Sequence, residues 1–201
     1  EFDGEKIYYS INDVEILEKT AHYSKFKYKN EIFELNVGGD YNIENALAAI
    51  NAGLKLGMNF EEIKTGLMQY APIEKRWEAV KAGCYEIIND SYNANPESMR
   101  AFVDTILELY NKYVLVLGDM GELGEKEVQY HKELGNYINS HKKLAKNASV
   151  LTIGDLSKNI SDMVINCNSQ HFTSIEEAVD YIKANITPDN KLFLKASRSM
   201  K

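Results

Sequence analysis

The sequence predicts an α/β fold in which a mostly parallel β-sheet carries helices on both faces. From residue 76 onward, short apolar runs alternate with helix-like segments, and this βαβα order is typical of parallel sheets. The run Val114-Leu115-Val116-Leu117 is apolar at every position, as expected for a strand that is covered on both faces. With 201 residues, 44% of them hydrophobic, the chain can build the core that such a sheet requires.

The first third of the chain has a different pattern from the rest. It begins with three short alternating pieces typical of edge or hairpin strands, at residues 6–9, 24–28 and 31–35. Apolar residues then recur at helical spacing from Asp40 until Gly57, which suits the end of a helix. A second helix is expected to begin at the capping box formed by Asn59 and Glu62.

Pro72 marks the best candidate for a domain boundary. Proline disfavours helix for the residue before it, and the pattern changes from helical to strand-like after it. We therefore predict that residues 1–71 belong to one domain, that residues 72–75 form a hinge, and that residues 76–201 form the α/β domain. We also expect the first domain to leave a face partly exposed, as half of a core, at Phe26, Phe33 and Leu35.

Beyond this boundary the pattern predicts five strands and four helices. The strands are expected at residues 77–80, 85–88, 113–117, 150–153 and 192–194. The helices are expected at about 96–110, 125–140, 156–165 and 174–185. Asn95 can cap the first of these helices, and Pro96 suits its first position.

The composition excludes several classes of function. The formal net charge is −7, from 23 basic and 30 acidic residues, and no basic stretch alternates with aromatic residues as nucleic-acid binding requires. Cys84 and Cys167 lie outside any CxxC pattern, which favours a reducing compartment over a disulfide framework. The sequence has no signal-peptide pattern and no apolar run long enough for membrane insertion. We therefore expect a cytoplasmic protein and, because the first residue is not Met, a fragment of a longer one.

Four polar clusters follow four of the predicted strands. They lie at residues 89–91, 118–122, 154–155 and 195–199. Because the carboxyl ends of parallel strands meet at one edge of a sheet, these clusters should converge where such sheets bind small molecules. An alternative is that the densest polar stretch, around Asp90, is only a well-capped turn, since Asx-rich turns are common.

Short motifs for phosphate and metal binding are weak in this chain. It lacks the GxxxxGK[ST] loop that cradles triphosphates, and its GxxGxxG spacing at residues 118–124 is not the GxGxxG of dinucleotide-binding folds. The carboxylates between residues 119 and 127 begin a helix, where acidic side chains more often answer the helix dipole than hold a cation. We therefore assign no metal ligand, and we expect His131 to be a packed or bridging residue.

Five motifs distributed over the chain form a characteristic set. They are YNIENALAA at residues 41–49, KRWE at 75–78, NDSYNANPESM at 89–99, VLGDMGELG at 116–124 and LKASRSM at 194–200. Together they resemble the Mur ligases of peptidoglycan synthesis, from about residue 20 to the end. The resemblance implies the last part of a central α/β ATPase domain followed by a Rossmann-like C-terminal domain.

The resemblance also implies a reaction. In Mur ligases ATP activates a peptide carboxylate as an acyl phosphate, which an incoming amine attacks. The implied cofactors are ATP and Mg²⁺, and the implied substrates are UDP-N-acetylmuramoyl-tripeptide and D-alanyl-D-alanine, in a monomeric enzyme. The phosphate loop and most magnesium ligands would lie upstream, so this chain alone is expected to be inactive. Two alternatives stay open, a ligase like folylpolyglutamate synthase and a non-catalytic nucleotide-binding module.

Residue by residue, the resemblance suggests four contacts to the nucleotide. Asn42 and Asn45 match residues near the adenine. Arg76 matches an arginine that reaches the nucleotide, and Asp90 matches an aspartate that holds the ribose. These residue types suit the roles, since a carboxylate accepts from ribose hydroxyls and a guanidinium forks onto phosphate.

The loop after the last predicted strand supplies the catalytic candidates. Lys195 and Arg198 match the loop near the incoming dipeptide, where cations would stabilise developing negative charge. The candidates for substrate binding are Ser197, Asp119, Tyr92 and Asn93.

Overall fold

The structure is a computed structural model that describes residues 3–71, 75–141, 148–198 and 200. The chain divides into two compact units, Glu1–Ala71 and Pro72–Lys201, and each is described by itself. Residues 72–74 of the predicted hinge lie outside the described residues. None of the described helices is both long enough and apolar enough to cross a membrane.

The first unit combines a three-stranded antiparallel sheet with two helices. Its elements are β1 (Glu15–Lys19), β2 (Ser24–Tyr28), β3 (Glu31–Leu35), α1 (Asp40–Lys55) and α2 (Phe60–Gln69). The turn between β2 and β3 has positive φ angles of 50° at Lys29 and 65° at Asn30, as tight hairpin turns require. The capping box of Asn59 and Glu62 begins α2, as predicted.

Two expectations for this unit are wrong. Residues 6–9 form no strand, and the first strand is instead β1, an edge strand whose first four residues are exposed. The expected exposed half-core is absent at Phe26, Phe33 and Leu35, which are at most 2% exposed. The rings of Phe26 and Phe33 stack with centroids 5.8 Å apart, so these residues form the core of the unit itself.

The second unit is built on a six-stranded sheet in the order β4-β5-β9-β6-β7-β8. The strands are β4 (Glu78–Ala82), β5 (Tyr85–Asn89), β6 (Tyr113–Gly118), β7 (Ala148–Ile153), β8 (Asn168–Phe172) and β9 (Lys191–Lys195). The helices are α3 (Pro96–Leu109), α4 (Glu127–Ser140), α5 (Lys158–Ser161) and α6 (Ile175–Asn185). Only β4 and β5 pair antiparallel in this sheet, which confirms the predicted mostly parallel α/β fold.

Helices cover both faces of this sheet because side chains alternate along each strand. Leu192 of β9 points to one face, where Val114 and Val116 pack with Tyr181 of α6 and with Ile182 and Ile186 at and just after its end. The next residue, Phe193, points to the other face, where its ring lies 6.5 Å from that of Phe102 on α3. The fully apolar β6 therefore lies between two layers of helix.

Two elements of this unit differ from the prediction. The helix expected at 156–165 is reduced to the four residues of α5, and β8 has no predicted counterpart. The sequence of β8, Asn-Ser-Gln-His-Phe, lacks the apolar alternation that predicts strands. It can be a strand because it lies at the edge of the sheet and pairs only with β7.

Candidate functional site

The strand order brings the loops after four strands next to one another. β5, β9, β6 and β7 are consecutive neighbours and run parallel. The polar residues that follow them therefore share one edge of the sheet, which is where parallel sheets bind ligands.

A buried ion pair joins the ends of β5 and β9. Lys195 Nζ lies 2.6 Å from Asp90 Oδ2 and also donates to the backbone carbonyl of Asn93 at 3.1 Å. The ammonium group lies 5.6 Å from the centroid of the Phe102 ring. Lys195 is 4% exposed and Asp90 is 7% exposed, so the pair is held inside the fold.

The loop after β5 is shaped by its own short polar side chains. The Asp90 N–H donates to the carbonyl of Leu194 at 2.8 Å, which extends the pairing of β5 with β9 by one residue. Asn89 Oδ1 accepts from the N–H and the hydroxyl of Ser91. Asn95 then caps α3 in a reciprocal bond with Ser98, so the predicted strand, polar turn and helix are confirmed.

The surroundings of Asp90 disfavour its ionised form. Burial raises the pKa of Asp90 above its ordinary value, although Lys195, the Trp77 N–H and Arg76 each oppose the rise. The Trp77 N–H donates to Oδ1 at 3.0 Å. Both carboxylate oxygens therefore already have a protein donor, and a ribose hydroxyl would have to share one of them.

Arg76 is held by a strained segment of backbone. Lys75 and Trp77, on either side of it, have φ angles of 61° and 51°, a region that costs a non-glycine residue about 1–3 kcal/mol. The carbonyl of Lys75 accepts from the N–H of Tyr92 at 3.0 Å. The Trp77 ring, 2% exposed, packs against Phe102 at 5.6 Å. These contacts on both sides fix the backbone that presents Arg76.

Tyr92 lies beside two guanidinium groups. The guanidinium carbon of Arg76 is 4.0 Å from the centroid of the Tyr92 ring, and that of Arg198 is 5.7 Å from it. Arg76 and Arg198 are both exposed, and Tyr92 is half-buried. The ends of β5 and β9 thus bring together the ion pair of Asp90 and Lys195 and the two arginines beside Tyr92.

The loop after β6 is occupied with holding neighbouring loops. Asp119 Oδ1 accepts from the N–H groups of Leu156 and Ser157 at 3.1 and 2.7 Å. The Asp119 carbonyl accepts from the N–H of Ser197 at 2.9 Å, and its N–H donates to the sulfur of Met200 at 2.8 Å. Asp119 and Ser197 are therefore joined through backbone, and their assignment to substrate stays a prediction.

His131 of α4 supports the loop after β6. It is fully buried, its Nε2 accepts from the N–H of Met120 at 2.9 Å, and its Nδ1 lies 2.7 Å from the carbonyl of Glu127. Since a carbonyl only accepts, the ring proton is on Nδ1. His131 is a bridging residue, as expected, rather than a base open to substrate.

The two predicted adenine contacts lie in the first unit, on a mainly apolar groove of about 510 Å³. Asn42 is buried and donates to the carbonyl of Gly38 at 2.6 Å, so one of its amide protons is already used. Asn45, one turn further along α1, is exposed and lines the groove. Asn45 is thus the freer of the two to contact a ligand.

The motifs that surround this edge match one protein family. The model of the family described as Mur ligase, glutamate ligase domain, matches residues 75–198. The chain belongs to the Mur ligase family. This confirms the resemblance drawn from the five motifs, and the matched residues include the whole six-stranded sheet.

Curated relatives in the Mur ligase family have a more specific name. The UDP-N-acetylmuramoyl-tripeptide--D-alanyl-D-alanine ligase of Bacillus subtilis is 34% identical over 200 compared residues, and the match covers 96% of this chain and 43% of the relative. The enzyme of the same name from Buchnera aphidicola is 36% identical over 187 compared residues, and the match covers 89% of this chain and 39% of the relative. The chain spans less than half the length of these relatives.

Solved structures of Mur ligases share the fold. MurF from Acinetobacter baumannii has a TM-score of 0.78 and is 25% identical, with 93% of this chain and 42% of that chain covered. MurF from Thermotoga maritima, solved in complex with ADP, has a TM-score of 0.73, with 93% and 43% covered. At 20% identity, the second likeness is a likeness of fold alone.

Not all residues predicted for a Mur ligase site come together in the same way. Asp90, Lys195, Arg76, Tyr92 and Arg198 are directly connected by the contacts above. Asn93 contributes its carbonyl to this group while its side chain accepts from the N–H of Ala94. Among the described residues, no group of three or more His, Cys, Asp or Glu could hold a metal ion.

Two residues important for this geometry had no functional prediction. Trp77 begins a predicted strand and is a buried core residue, and its backbone N–H also orients Asp90. Met200 lies against Gly118, where a β-carbon would collide with its sulfur and with Ala196. A backbone donor and a sulfur acceptor leave no pattern in a sequence, so only the structure reveals these contacts.

Proposed function

We propose that this chain is part of an ATP-dependent ligase that joins D-alanyl-D-alanine to UDP-N-acetylmuramoyl-tripeptide. The relatives of that name, 34% and 36% identical, support the proposal. So does the family match over residues 75–198. Since the chain covers 43% of the Bacillus subtilis relative, the proposal concerns the part of the enzyme that contributes one side of the reaction site.

The observation that carries the proposal is the pair of exposed guanidinium groups, Arg76 and Arg198, at the ends of β5 and β9. Within the described residues, neither Arg76 nor Arg198 lies within salt-bridge distance of a carboxylate, although Arg100 pairs with Glu133 at 3.6 Å. Two exposed guanidinium groups beside a buried ion pair are suited to phosphate or carboxylate groups of a ligand.

Bound ATP would supply the phosphoryl group that converts the tripeptide carboxylate to an acyl phosphate. The amine of D-alanyl-D-alanine then attacks the acyl carbon, an amide bond forms, phosphate leaves, and the amine loses a proton. Negative charge grows on oxygen during this attack, and a cation already in position lowers its energy. We assign that role to Arg198, which is exposed on the loop after β9.

Lys195 has a different part in this proposal. Its ammonium is surrounded by Asp90, the Asn93 carbonyl and the Phe102 ring, so it acts from inside the fold. It holds the loops after β5 and β9 together and keeps positive charge behind the reacting groups. Its assignment as a catalytic cation is therefore weaker than that of Arg198.

The proposed nucleotide contacts also differ in whether the side chain is exposed or buried. Arg76 is suited to a phosphate of ATP because it is exposed and no described carboxylate pairs with it. Asp90 would accept from a ribose hydroxyl through the lone pairs that the Trp77 N–H and Lys195 leave. Asn45, and to a smaller extent Asn42, keep the assignment to the adenine that their match to Mur ligase motifs suggests.

Four further proposals concern the metal ion, the cellular compartment, the oligomeric state and the contacts to the dipeptide. Mg²⁺ would be held by ligands outside the described residues together with the phosphates of ATP. We propose a cytoplasmic enzyme, in keeping with two free cysteines, Cys84 and Cys167. We propose that it acts as a monomer, and that Ser197, Tyr92 and Asn93 border the dipeptide.

A chimera tests the proposal most directly. The segment of the Bacillus subtilis relative that aligns with this chain is replaced by this chain. Phosphate release is then measured with ATP, Mg²⁺, UDP-N-acetylmuramoyl-tripeptide and D-alanyl-D-alanine. We expect ligation, and a loss of about 10²-fold in kcat for Arg198→Ala. The unmodified 201-residue chain should release no phosphate, because it has no GxxxxGK[ST] loop.

Binding to the chain itself provides a test that does not depend on the chimera. Titration with ADP should shift the side-chain NMR resonance of Arg76. A chimera that joins glutamate to a folate, and not the dipeptide, would favour a ligase like folylpolyglutamate synthase. ADP binding by the chain with an inactive, folded chimera would favour a nucleotide-binding module without catalysis.

A further inference from the structure

Each arginine of this protein lies over a tyrosine ring. The sequence contains three arginines, Arg76, Arg100 and Arg198. Arg100 lies over Tyr137, with its guanidinium carbon 5.3 Å from the ring centroid. Arg76 and Arg198 instead share the ring of Tyr92. The chain thus offers one ordinary pair and one shared ring within the same unit.

Sharing a ring keeps two like charges close together. Because the distances of 4.0 Å and 5.7 Å are measured to the same centroid, the guanidinium carbons cannot be farther apart than the sum of the two. That separation is comparable with the screening length of about 8–10 Å at ordinary ionic strength. Arg76 and Arg198 therefore repel each other, and the face of Tyr92 offsets part of the repulsion.

We propose that Tyr92 is a positioning residue that holds Arg76 and Arg198 as a pair for an anionic group with phosphate chemistry. This inference rests on the proposed function, which brings such a group to the sheet edge. It also changes the role assigned to Tyr92, from a residue that contacts substrate to one that acts through two arginines.

The backbone of Tyr92 serves the same purpose as its ring. Its N–H donates to the carbonyl of Lys75, the residue before Arg76, at 3.0 Å. The segment around Arg76 has positive φ at both flanking residues and is held on its other side by the bond from Trp77 to Asp90. Tyr92 thus fixes both the backbone that presents Arg76 and the guanidinium at the end of its side chain.

The ring of Tyr92, and not its hydroxyl, is the part that this role requires. Among the described residues, the Tyr92 hydroxyl makes no hydrogen bond. Tyr137, in contrast, donates its hydroxyl to Asp104 at 2.8 Å. Phenylalanine should therefore replace tyrosine at position 92, while leucine, which has no aromatic face, should not.

Arginine side-chain NMR of the full 201-residue chain tests the shared ring. The spectrum contains only three Nε–Hε resonances, and each is moved by the ring current of its tyrosine. Tyr92→Leu should shift the resonances of Arg76 and Arg198 and leave that of Arg100 in place. Tyr92→Phe should leave all three in place, and the control Tyr137→Leu should shift only Arg100. A shift of Arg76 or Arg198 alone in Tyr92→Leu would overturn the proposal.

Titration of the same variants with ADP, and separately with inorganic pyrophosphate, tests the purpose of the pair. Losing a cation–π contact at a partly exposed site should weaken binding about two- to fivefold in Tyr92→Leu. Tyr92→Phe and Tyr137→Leu should bind as the unmodified chain does. Equal weakening in Tyr92→Phe and Tyr92→Leu would overturn the proposal, because it would mean that the hydroxyl contacts the ligand.

The two levels of inference fail in different ways. If both arginine resonances respond to Tyr92→Leu but the chimera does not ligate D-alanyl-D-alanine, the proposed function is wrong and the shared ring stands. If the chimera ligates normally and Tyr92→Leu changes neither resonance, the positioning role is wrong and the proposed function stands.

Discussion

Asp90 and Asp119 occupy similar positions in the same sheet, yet their surroundings differ. Each comes directly after a strand, β5 or β6, and each carboxylate accepts hydrogen bonds from another part of the chain. Asp90 accepts from the ammonium of Lys195 and lies near Arg76. The Oδ1 atom of Asp119 accepts instead from two backbone N–H groups, those of Leu156 and Ser157.

The difference separates two uses of an aspartate at the end of a strand. The backbone N–H groups that bind Asp119 hold a loop in place, so the Asp119 carboxylate stabilises the fold. Lys195 pairs with Asp90 and Arg76 lies near it as a second cation, so this group as a whole can still attract an anion. Identical residue types after two strands of the same sheet thus give one loop that maintains the sheet edge and one that can act on a ligand.

Removing the Asp90 carboxylate should give the largest effect. Asp90→Ala leaves the buried ammonium of Lys195 without its counter-ion, and breaking such a pair costs about 3–5 kcal/mol. Chemical denaturation of the second unit, followed by Trp77 fluorescence, measures this loss. The double variant Asp90→Ala with Lys195→Met should recover most of it. A loss below about 1 kcal/mol would mean that the pair is not buried as described.

Asp119→Ala should cost less, because it breaks bonds from neutral donors and leaves no charge unpaired. Two N–H groups lose a charged acceptor, which is worth about 1.5–3 kcal/mol. Asp119→Asn keeps an oxygen acceptor and should lose only part of this. The same denaturation experiment applies, and an effect as large as that of Asp90→Ala would erase the distinction drawn between the two aspartates.

Gly118→Ala tests whether the loop after β6 supports the loop after β9. A β-carbon at Gly118 would collide with the sulfur of Met200 and with the side chain of Ala196, and such overpacking costs about 1–3 kcal/mol. It should also shift the side-chain resonance of Arg198. Gly66→Ala is the control, because nothing lies within 4 Å of its added carbon, and it should stabilise α2 by up to about 1 kcal/mol. An unmoved Arg198 resonance would show that the two loops are independent.

The smallest expected effects are on the pH dependence of stability. They distinguish a carboxyl group whose pKa is raised by burial from one whose pKa is lowered by pairing. Burial raises the pKa of Asp90 above 3.8, so its contribution to stability is present below pH 3.8 and is lost as pH rises through the raised value. The exposed Asp189, paired with Lys112, has its pKa lowered to about 2. Its contribution is present above pH 3.8 and is lost as pH falls towards about 2.

Carboxyl ¹³C titration measures both groups in one sample. Asp90→Asn and Asp189→Asn assign the two resonances, since each variant removes one of them. We expect the midpoint of Asp90 above 3.8 and that of Asp189 near 2. A midpoint of Asp90 below 3.8 would mean that pairing with Lys195 outweighs burial.

The parts of the fold that could be predicted are those with strong periodicity. β6 is apolar at every position, and α3 carries both a capping residue and an apolar stripe, so their positions follow from local chemistry. β8 could not be predicted, because a polar segment becomes a strand only when β7 offers it an edge. α5 is shorter than expected, since apolar spacing over 156–165 does not reveal where the chain turns away from helix.

In the candidate site, too, some features follow from the local sequence and others depend on the folded backbone. Asp90, Lys195 and Arg198 could be named from the sequence because they lie in polar clusters after strands and match motifs of the Mur ligases. Their relations could not, since the bond from the Trp77 N–H to Asp90 depends on a backbone with positive φ. The same holds for Asp119, whose role depends on N–H groups that every residue type at 156 and 157 except proline would present.

One edge of the six-stranded sheet is formed by β8, a strand of mainly polar residues. β8 carries Asn168, Ser169, Gln170 and His171, and β4 carries Lys81 just before the tight turn at Gly83. An edge strand has unpaired backbone groups to which another chain can add, and polar or charged side chains oppose such addition. β8, the strand that is hardest to recognise in the sequence, therefore opposes edge-to-edge aggregation when the protein is concentrated.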